Sequence, residues 1–356
     1  MNPQLERALL ARGATMGTTL GCAVPLRFDG VEFEWRAARE RCGVTLASFR
    51  ALIAATGGDR VTFAQGMLSN DIAALKPGQG VYAAHLNQQG KVVADLRVYV
   101  QTDRVLFDVL AARADALTAA LERFIIADDV ELTRVEEQPP LIALIGPTSH
   151  ATLERALATS LPSWSQLEHR ETRYRDEPLL VIAVSEIGGQ GYLLCARPEL
   201  AAPLFESVCA AGASPLGMEA LNVLRVESGV PWYGIDMDED VLVMEAGLDR
   251  AVSFTKGCYL GQEVVERVAA RGHVNRKLTG LVIDGNEVPT PGALLHAEGR
   301  DVGRVTSAVR SPALGRVVAL GYVHRDFLAP GTAVSVQTGN RTAHVTVAPL
   351  PFTEAS

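Results

Sequence analysis

The chain has 356 residues and a formal net charge of −8, with 48% hydrophobic and 21% charged residues. That length allows more than one core, since domains commonly run to about 100–200 residues, and the composition is that of a globular protein without a segment long and apolar enough to span a bilayer. The acidic balance disfavours a protein that grips nucleic acid through its phosphates, because that requires a basic surface. Taken in chain order, residues 31–42 read as a helix closed by Gly43 and residues 60–75 as a short helical region with Ser69, Asn70 and Asp71 available as caps. Residues 81–86, 92–100 and 105–110 read as an antiparallel meander with turns at residues 87–90 and 101–104. The next helix carries Leu117, Leu121 and Phe124 at the spacing of a core stripe. Strands at residues 130–135, 141–145, 179–184 and 192–196 then alternate with helices near residues 148–158 and 199–211, an α+β arrangement in two interleaved layers or subdomains. Ser214, Pro215 and Glu219 mark a helix start and Gly229 a stop, so residues 215–228 read as a helix. From Leu278 onward the pattern becomes short strands punctuated by glycine and proline, a small β-barrel or sandwich. The expected division is residues 1–277 and 278–356.

Five cysteines, Cys22, Cys42, Cys195, Cys209 and Cys258, are scattered without a C-x-x-C pair. Neither a disulfide framework nor a zinc site of the usual spacing is expected, and a reducing cytoplasm fits best. Nothing near the start resembles a signal peptide, and a monomer without direct nucleic-acid or membrane partners is the expectation. The seven histidines are isolated, which gives no metal-binding pair, and Gly188-Gly189-Gln190-Gly191 lacks phosphate-loop spacing and reads as a tight hairpin.

Three places carry candidate chemistry. On the strand 92–100, Val92, Ala94, Leu96, Val98 and Val100 share one face while Asp95, Arg97 and Tyr99 share the other. That second face is either a solvated surface with cross-strand ion pairs or one that hydrogen-bonds a flat, nitrogen-rich ligand. Arg225, near the end of its helix, either offsets the helix dipole or binds a carboxylate from a buried position, while Trp232 and Tyr233 either line a pocket or pack a corner. Residues 256–277, KGCYLGQEVVERVAARGHVNRK, form the most cationic stretch and place Cys258 just ahead of a helix beginning at Gln262. The helix end and Lys256 would favour the thiolate, and the alternative is a small buried hydrophobe.

The segment LRVESGVPWYGIDMDEDVLVMEAGLDRAVSFTKGCYLGQEVVERVAARGHVNRKL closely resembles the YgfZ-type folate-binding proteins, whose hallmark K-G-C-[FY]-x-G-Q-E stands here at residues 256–263. The wider chain also resembles the glycine cleavage T-protein, an aminomethyltransferase, through GATMGTTLGCAVPLRFDG, LSNDIAALKPGQG, GKVVADLRVYV, GRVTSAVRSPALGRVVALGYV and the closing LPF. This resemblance implies an aminomethyltransferase-like three-domain cloverleaf with a central folate site and a C-terminal barrel, with tetrahydrofolate or a derivative as cofactor. It implies folate contacts from Asp95, Tyr99, Arg225 and Tyr233. It further implies a reactive Cys258 beside Lys256, with Gln262 and Glu263 shaping the turn. Two positions depart from the T-protein: Leu193 stands where a pterin-binding glutamate is expected, and Ala111 where an asparagine is. The leading expectation is therefore a tetrahydrofolate-binding accessory factor for iron-sulfur cluster assembly or repair. Its partners would be iron-sulfur client or assembly proteins, and its effect on tRNA-modifying methylthiotransferases indirect. The alternative is a folate-dependent aminomethyltransferase or other one-carbon transferase.

Overall fold

In the computed structural model, which describes residues 3–135, 140–339 and 341–353, the chain forms two units interleaved in sequence. The first takes the residues through His85 together with Ala94–Leu221, and the second takes Leu86–Val93 and the residues from Asn222 onward. The fold is multi-domain, of mixed α and β content, and its C-terminal part is a closed six-stranded barrel. Among the described residues no helix is long and apolar enough to cross a membrane.

The first unit holds a five-stranded and a six-stranded sheet beside a two-stranded hairpin. The strands Gly80–Leu86, Val92–Val100, Val105–Leu110, Arg50–Thr56 and Glu131–Arg134 lie side by side in that order, so the meander forms as the alternation requires. Ala94, Leu96 and Val98 turn inward and pack with Ile53, Phe107, Leu117 and Leu121. The helix Ala114–Glu122 ends before Phe124, which is exposed, so the apolar stripe stops at Leu121. The second sheet runs His169–Tyr174, Glu177–Ile182, Gly191–Cys195, Leu141–Ile145, Gly43–Leu46 and Ser214–Pro215. It is covered by side chains of the helices Pro3–Ala11, Ser149–Leu157 and Pro198–Ala210, among them Leu5, Leu9, Leu153, Leu204 and Phe205.

Several boundaries differ from the sequence expectation, each for a local reason. The helix after residue 60 is Arg60–Met67 only, because the Gln65 side-chain oxygen accepts the Ile72 and Ala73 N–H groups and holds a loop there. The helix Val31–Glu40 stops short, and Gly43 opens a strand instead of closing a helix. Pro215 belongs to a short parallel strand, since Ser214 N–H donates to Cys42 O at 2.9 Å and Leu216 N–H to Val44 O at 2.8 Å, and the helix begins at Met218. The helix Pro3–Ala11 and the hairpin Thr15–Thr19 with Cys22–Arg27 carry no pattern strong enough to be foreseen.

A buried carboxylate fastens this region. Glu34, 1% exposed, accepts the N–H groups of Phe28, Asp29 and Gly30 on one oxygen and that of Gly217, at 2.7 Å, on the other. Four backbone donors thus depend on one side chain, and hydrogen bonds to a charged acceptor are worth about 1.5–3 kcal/mol each in net terms. Replacing Glu34 by alanine is expected to cost at least about 3 kcal/mol, measured as a shift of the urea midpoint; a loss under about 1 kcal/mol would mean that water takes over these donors.

In the second unit the barrel closes in the order Arg276–Ile283, Arg316–His324, Arg300–Ser311, Leu294–Ala297, Ala333–Thr338 and Arg341–Ala348. Its interior is filled by Leu281, Ile283, Leu295, Val305, Val317 and Val345, and a bulge between Val305 and Ser307 re-aims the longest strand. The helix Gln262–Arg271 precedes the barrel.

Candidate functional site

The polar face of the strand Val92–Val100 is mostly buried, which overturns the picture of a solvated face with surface ion pairs. Arg97 donates to both oxygens of Glu186, at 2.8 and 3.1 Å, and also meets Asp108 at 3.3 Å. Asp108 is fully buried and further accepts from Arg50, at 2.5 Å, and from the Tyr99 hydroxyl at 3.0 Å. Two guanidiniums thus face two carboxylates, the arrangement that makes burial of charge tolerable. Arg97 and Arg50 hold Glu186 below the ordinary carboxylate range even though burial pushes the other way. Tyr99 is 0% exposed, with its hydroxyl committed to Asp108; the structure makes it a support of this network rather than an open ligand contact.

Asp95 stands apart from that network on the same face. It is half-buried, and one carboxylate oxygen accepts the Tyr82 hydroxyl at 2.8 Å. Among the described residues no other side chain hydrogen-bonds it. Burial raises its carboxyl above the usual aspartate range, against the opposing pull of Arg50, the Tyr82 hydroxyl and Arg97. Tyr82 is in turn held through its backbone oxygen by the Asn70 amide at 2.8 Å.

In the second unit Arg225 is 1% exposed and paired with Asp236. It also donates to Ser307 Oγ at 2.6 Å and to Asn222 Oδ1 at 2.9 Å, and it lies 4.7 Å from the Trp232 ring centre. Asp236 accepts from Thr306 and Ser307 at 2.6 and 2.7 Å and from the Trp232 N–H at 3.0 Å. Arg225 is thus a buried carboxylate binder, and its carboxylate is the chain's own Asp236. The side chain locks the turn after its helix to the barrel strand Arg300–Ser311, so offsetting the helix dipole is not its main role. Tyr233 is buried, with its hydroxyl 3.5 Å from Val92 O.

Cys258 is exposed, so the small-buried-hydrophobe alternative is excluded. Lys256 is only 8% exposed, and its ammonium lies 5.0 Å from the centre of the Tyr259 ring. The turn behind the cysteine depends on Gly261, whose φ of +83° favours glycine and where a Cβ would meet Asn87 O at 2.5 Å. Gln262 accepts the Tyr259 N–H at 3.2 Å and donates to Glu266 at 2.6 Å, whereas Glu263 makes an exposed pair with Arg267 one turn on. Gln262 therefore shapes the turn and Glu263 decorates the helix surface. Among the described residues no cluster of His, Cys, Asp and Glu is arranged to hold a metal ion.

A family model described as the GCVT N-terminal domain matches residues 5–256, and one described as the glycine cleavage T-protein C-terminal barrel domain matches residues 276–354. The chain belongs to the glycine cleavage T-protein family. Within that family it is 31% identical over 342 residues to an aminomethyltransferase of Synechococcus sp. (strain RCC307), covering 96% of this chain and 95% of that one. It is likewise 31% identical over 343 residues to an aminomethyltransferase of Rubrobacter xylanophilus, covering 96% and 91%. The solved structure of the glycine cleavage system aminomethyltransferase T from Bartonella henselae superposes with a TM-score of 0.91 at 26% identity, over 99% of this chain and 98% of that one. Aminomethyltransferases of the T-protein family use tetrahydrofolate. The residues fit such a group at Asp95, a partly exposed carboxylate whose one side-chain partner among the described residues is the Tyr82 hydroxyl, on one of its two oxygens. They fit less well at the hairpin, where Leu193 is fully buried between Ile182 and Ala143 in place of a carboxylate.

Tyr82, Arg50, Asp108 and Glu186 escape a reading of the sequence. Arg50 and Asp108 are 58 positions apart and Arg97 and Glu186 are 89 apart, and no local pattern reports such pairings. The cross-strand alternation that singles out Asp95 is the one signal that could have reached Tyr82, on the neighbouring strand of the meander.

Proposed function

We propose that the protein is a tetrahydrofolate-dependent aminomethyltransferase, or a closely related one-carbon transferase, with Asp95 as its central polar group. The observation that carries this reading is the Asp95 carboxylate, held by Tyr82 and half-open. Relatives named aminomethyltransferase that align along nearly the whole chain support the transferase over the iron-sulfur role placed first on sequence grounds. Tetrahydrofolate, when bound, supplies the nucleophilic amine nitrogen that accepts the one-carbon unit. Asp95 orients that nitrogen and takes the proton released there, and its carboxyl, raised by burial above the usual aspartate range, is the stronger base for it. Tyr82 keeps the carboxylate in one rotamer by donating to the second oxygen. Tyr99 and Arg97 act one layer below, fixing the strand on which Asp95 stands. Arg225 holds the turn carrying Trp232 and Tyr233 in place. The test is turnover, with tetrahydrofolate-dependent ammonia release from an aminomethylated lipoyl carrier protein as the readout.

A second reading rests on Cys258. An exposed cysteine on a glycine-defined turn within KGCYLGQE supports a tetrahydrofolate-binding accessory factor for iron-sulfur proteins, with Cys258 as a transient ligand or reactive thiol. The leucine at position 193 favours it too, because a pterin without a carboxylate contact there is less firmly oriented for one-carbon transfer. One thiolate does not hold a cluster, which takes four ligands as a rule, so the remaining thiols would come from the client. On the transferase reading Cys258→Ser retains at least about half of wild-type turnover. Loss of iron-sulfur enzyme recovery in cells carrying Cys258→Ser, with folate binding intact, would move the assignment to the accessory role.

A further inference from the structure

On the sheet face that also carries Tyr99 and Asp108, the first unit has a cavity of about 230 Å³ lined by Leu52, Leu106, Val135, Leu180 and Pro198 among others, with Arg104, Arg197 and Glu171 as its charged residues. A second, polar cavity of about 490 Å³ is also lined by Arg104 and Glu171. These two side chains line both cavities, which puts them where the two adjoin, and they form no ion pair with each other. Arg104 uses only its Nε, donating to Gln101 at 2.6 Å; among the described residues its two terminal nitrogens and the Glu171 carboxylate have no partner. Arg197 is satisfied by Glu177 at 3.1 Å. The apolar cavity is walled by aliphatic residues and proline, with no aromatic ring among its lining residues.

A cation and an anion that share a cavity rim without pairing match a ligand that carries both charges. We propose that this cavity binds an aliphatic α-amino acid: the carboxylate on the terminal nitrogens of Arg104, the ammonium on Glu171, and the branched side chain in the aliphatic cavity. A simple fatty acid leaves Glu171 facing its carboxylate, and an alkylamine leaves Arg104 unanswered; only the zwitterion answers both. The guanidinium fork suits a carboxylate in two-point contact, and an apolar pocket with a few convergent polar groups is the usual form of a small-molecule site. The site is independent of the transferase reading and uses none of its residues.

The test is a titration of the full-length protein with L-leucine, 4-methylpentanoate and isoamylamine by ligand-observed NMR, in a Cys258→Ser background. The expected result is saturable leucine binding at least about tenfold tighter than either half-molecule, since losing one charge-assisted contact costs at least that factor. Arg104→Gln and Glu171→Gln should each weaken leucine at least tenfold, and the latter should abolish the preference of leucine over 4-methylpentanoate. Leu180→Trp, which fills the apolar cavity, should remove binding. Equal affinity for the three probes, or leucine binding unchanged in both charge variants, or no saturation at 20 mM leucine, would overturn the proposal.

Discussion

Asp95→Asn is expected to lower tetrahydrofolate-dependent turnover at least about 100-fold, the scale of losing a positioned general base, while leaving the protein as stable as before or more so. The two halves have one cause. Burial raises the Asp95 carboxyl above the aspartate range, so between the unfolded and folded pKa values the folded state holds more protons than the unfolded one. Stability therefore falls as pH rises through that window, and the penalty is fully present above the folded value. Asparagine is neutral at every pH, still accepts the Tyr82 hydroxyl and carries no such penalty. The same shift sets the acid limb of turnover, which should fall as pH drops through a value above the ordinary aspartate range. A pH–rate profile of kcat/KM and urea melts of both proteins at pH 5 and 8 check these points. An Asp95→Asn protein that is markedly less stable at pH 8 would show the carboxylate to be structural.

The largest stability effect is expected from Arg225→Met. Its guanidinium is the counter-charge of fully buried Asp236, and removing one partner of such a pair costs about 3–5 kcal/mol because the other charge remains buried. For a protein of this size that corresponds to a fall in Tm on the order of 10 °C. The double variant Arg225→Met/Asp236→Leu should recover part of the loss, since replacing both partners by apolar groups removes the stranded charge. Thr306, Ser307 and the Trp232 N–H still solvate the Asp236 carboxylate in the single variant. A Tm change below about 2 °C would mean that these donors suffice without the arginine.

The barrel and the meander were legible because their signals are local. Period-two alternation places Ala94, Leu96 and Val98 inside, and glycine and proline punctuate each barrel strand. Gly188 and Gly189 take positive φ in the connection between neighbouring antiparallel strands, but that connection is the loop 183–190 and not the tight hairpin their spacing suggests. What escaped depends on contacts between distant residues. Pro215 reads as a helix start until Val44 and Cys42 draw its neighbours into a sheet. Arg97 looks like a surface cation on a solvated face until Glu186, from the loop between two strands of the other sheet, covers it. Arg225 was recognisable as a possible carboxylate binder, but nothing local names Asp236 as the carboxylate. The exposure of Cys258 agrees with the flanking glycines; the Lys256 ammonium against the Tyr259 ring could not be foreseen from charge spacing.

The most direct test of the transferase account is the rate of tetrahydrofolate-dependent ammonia release from an aminomethylated lipoyl carrier protein, measured side by side for the wild type, Asp95→Asn and Cys258→Ser. The account predicts release at enzyme-like rates by the wild type, near-complete loss in Asp95→Asn and little change in Cys258→Ser. No release from wild-type protein that still binds tetrahydrofolate would contradict it and leave the exposed cysteine turn as the functional centre.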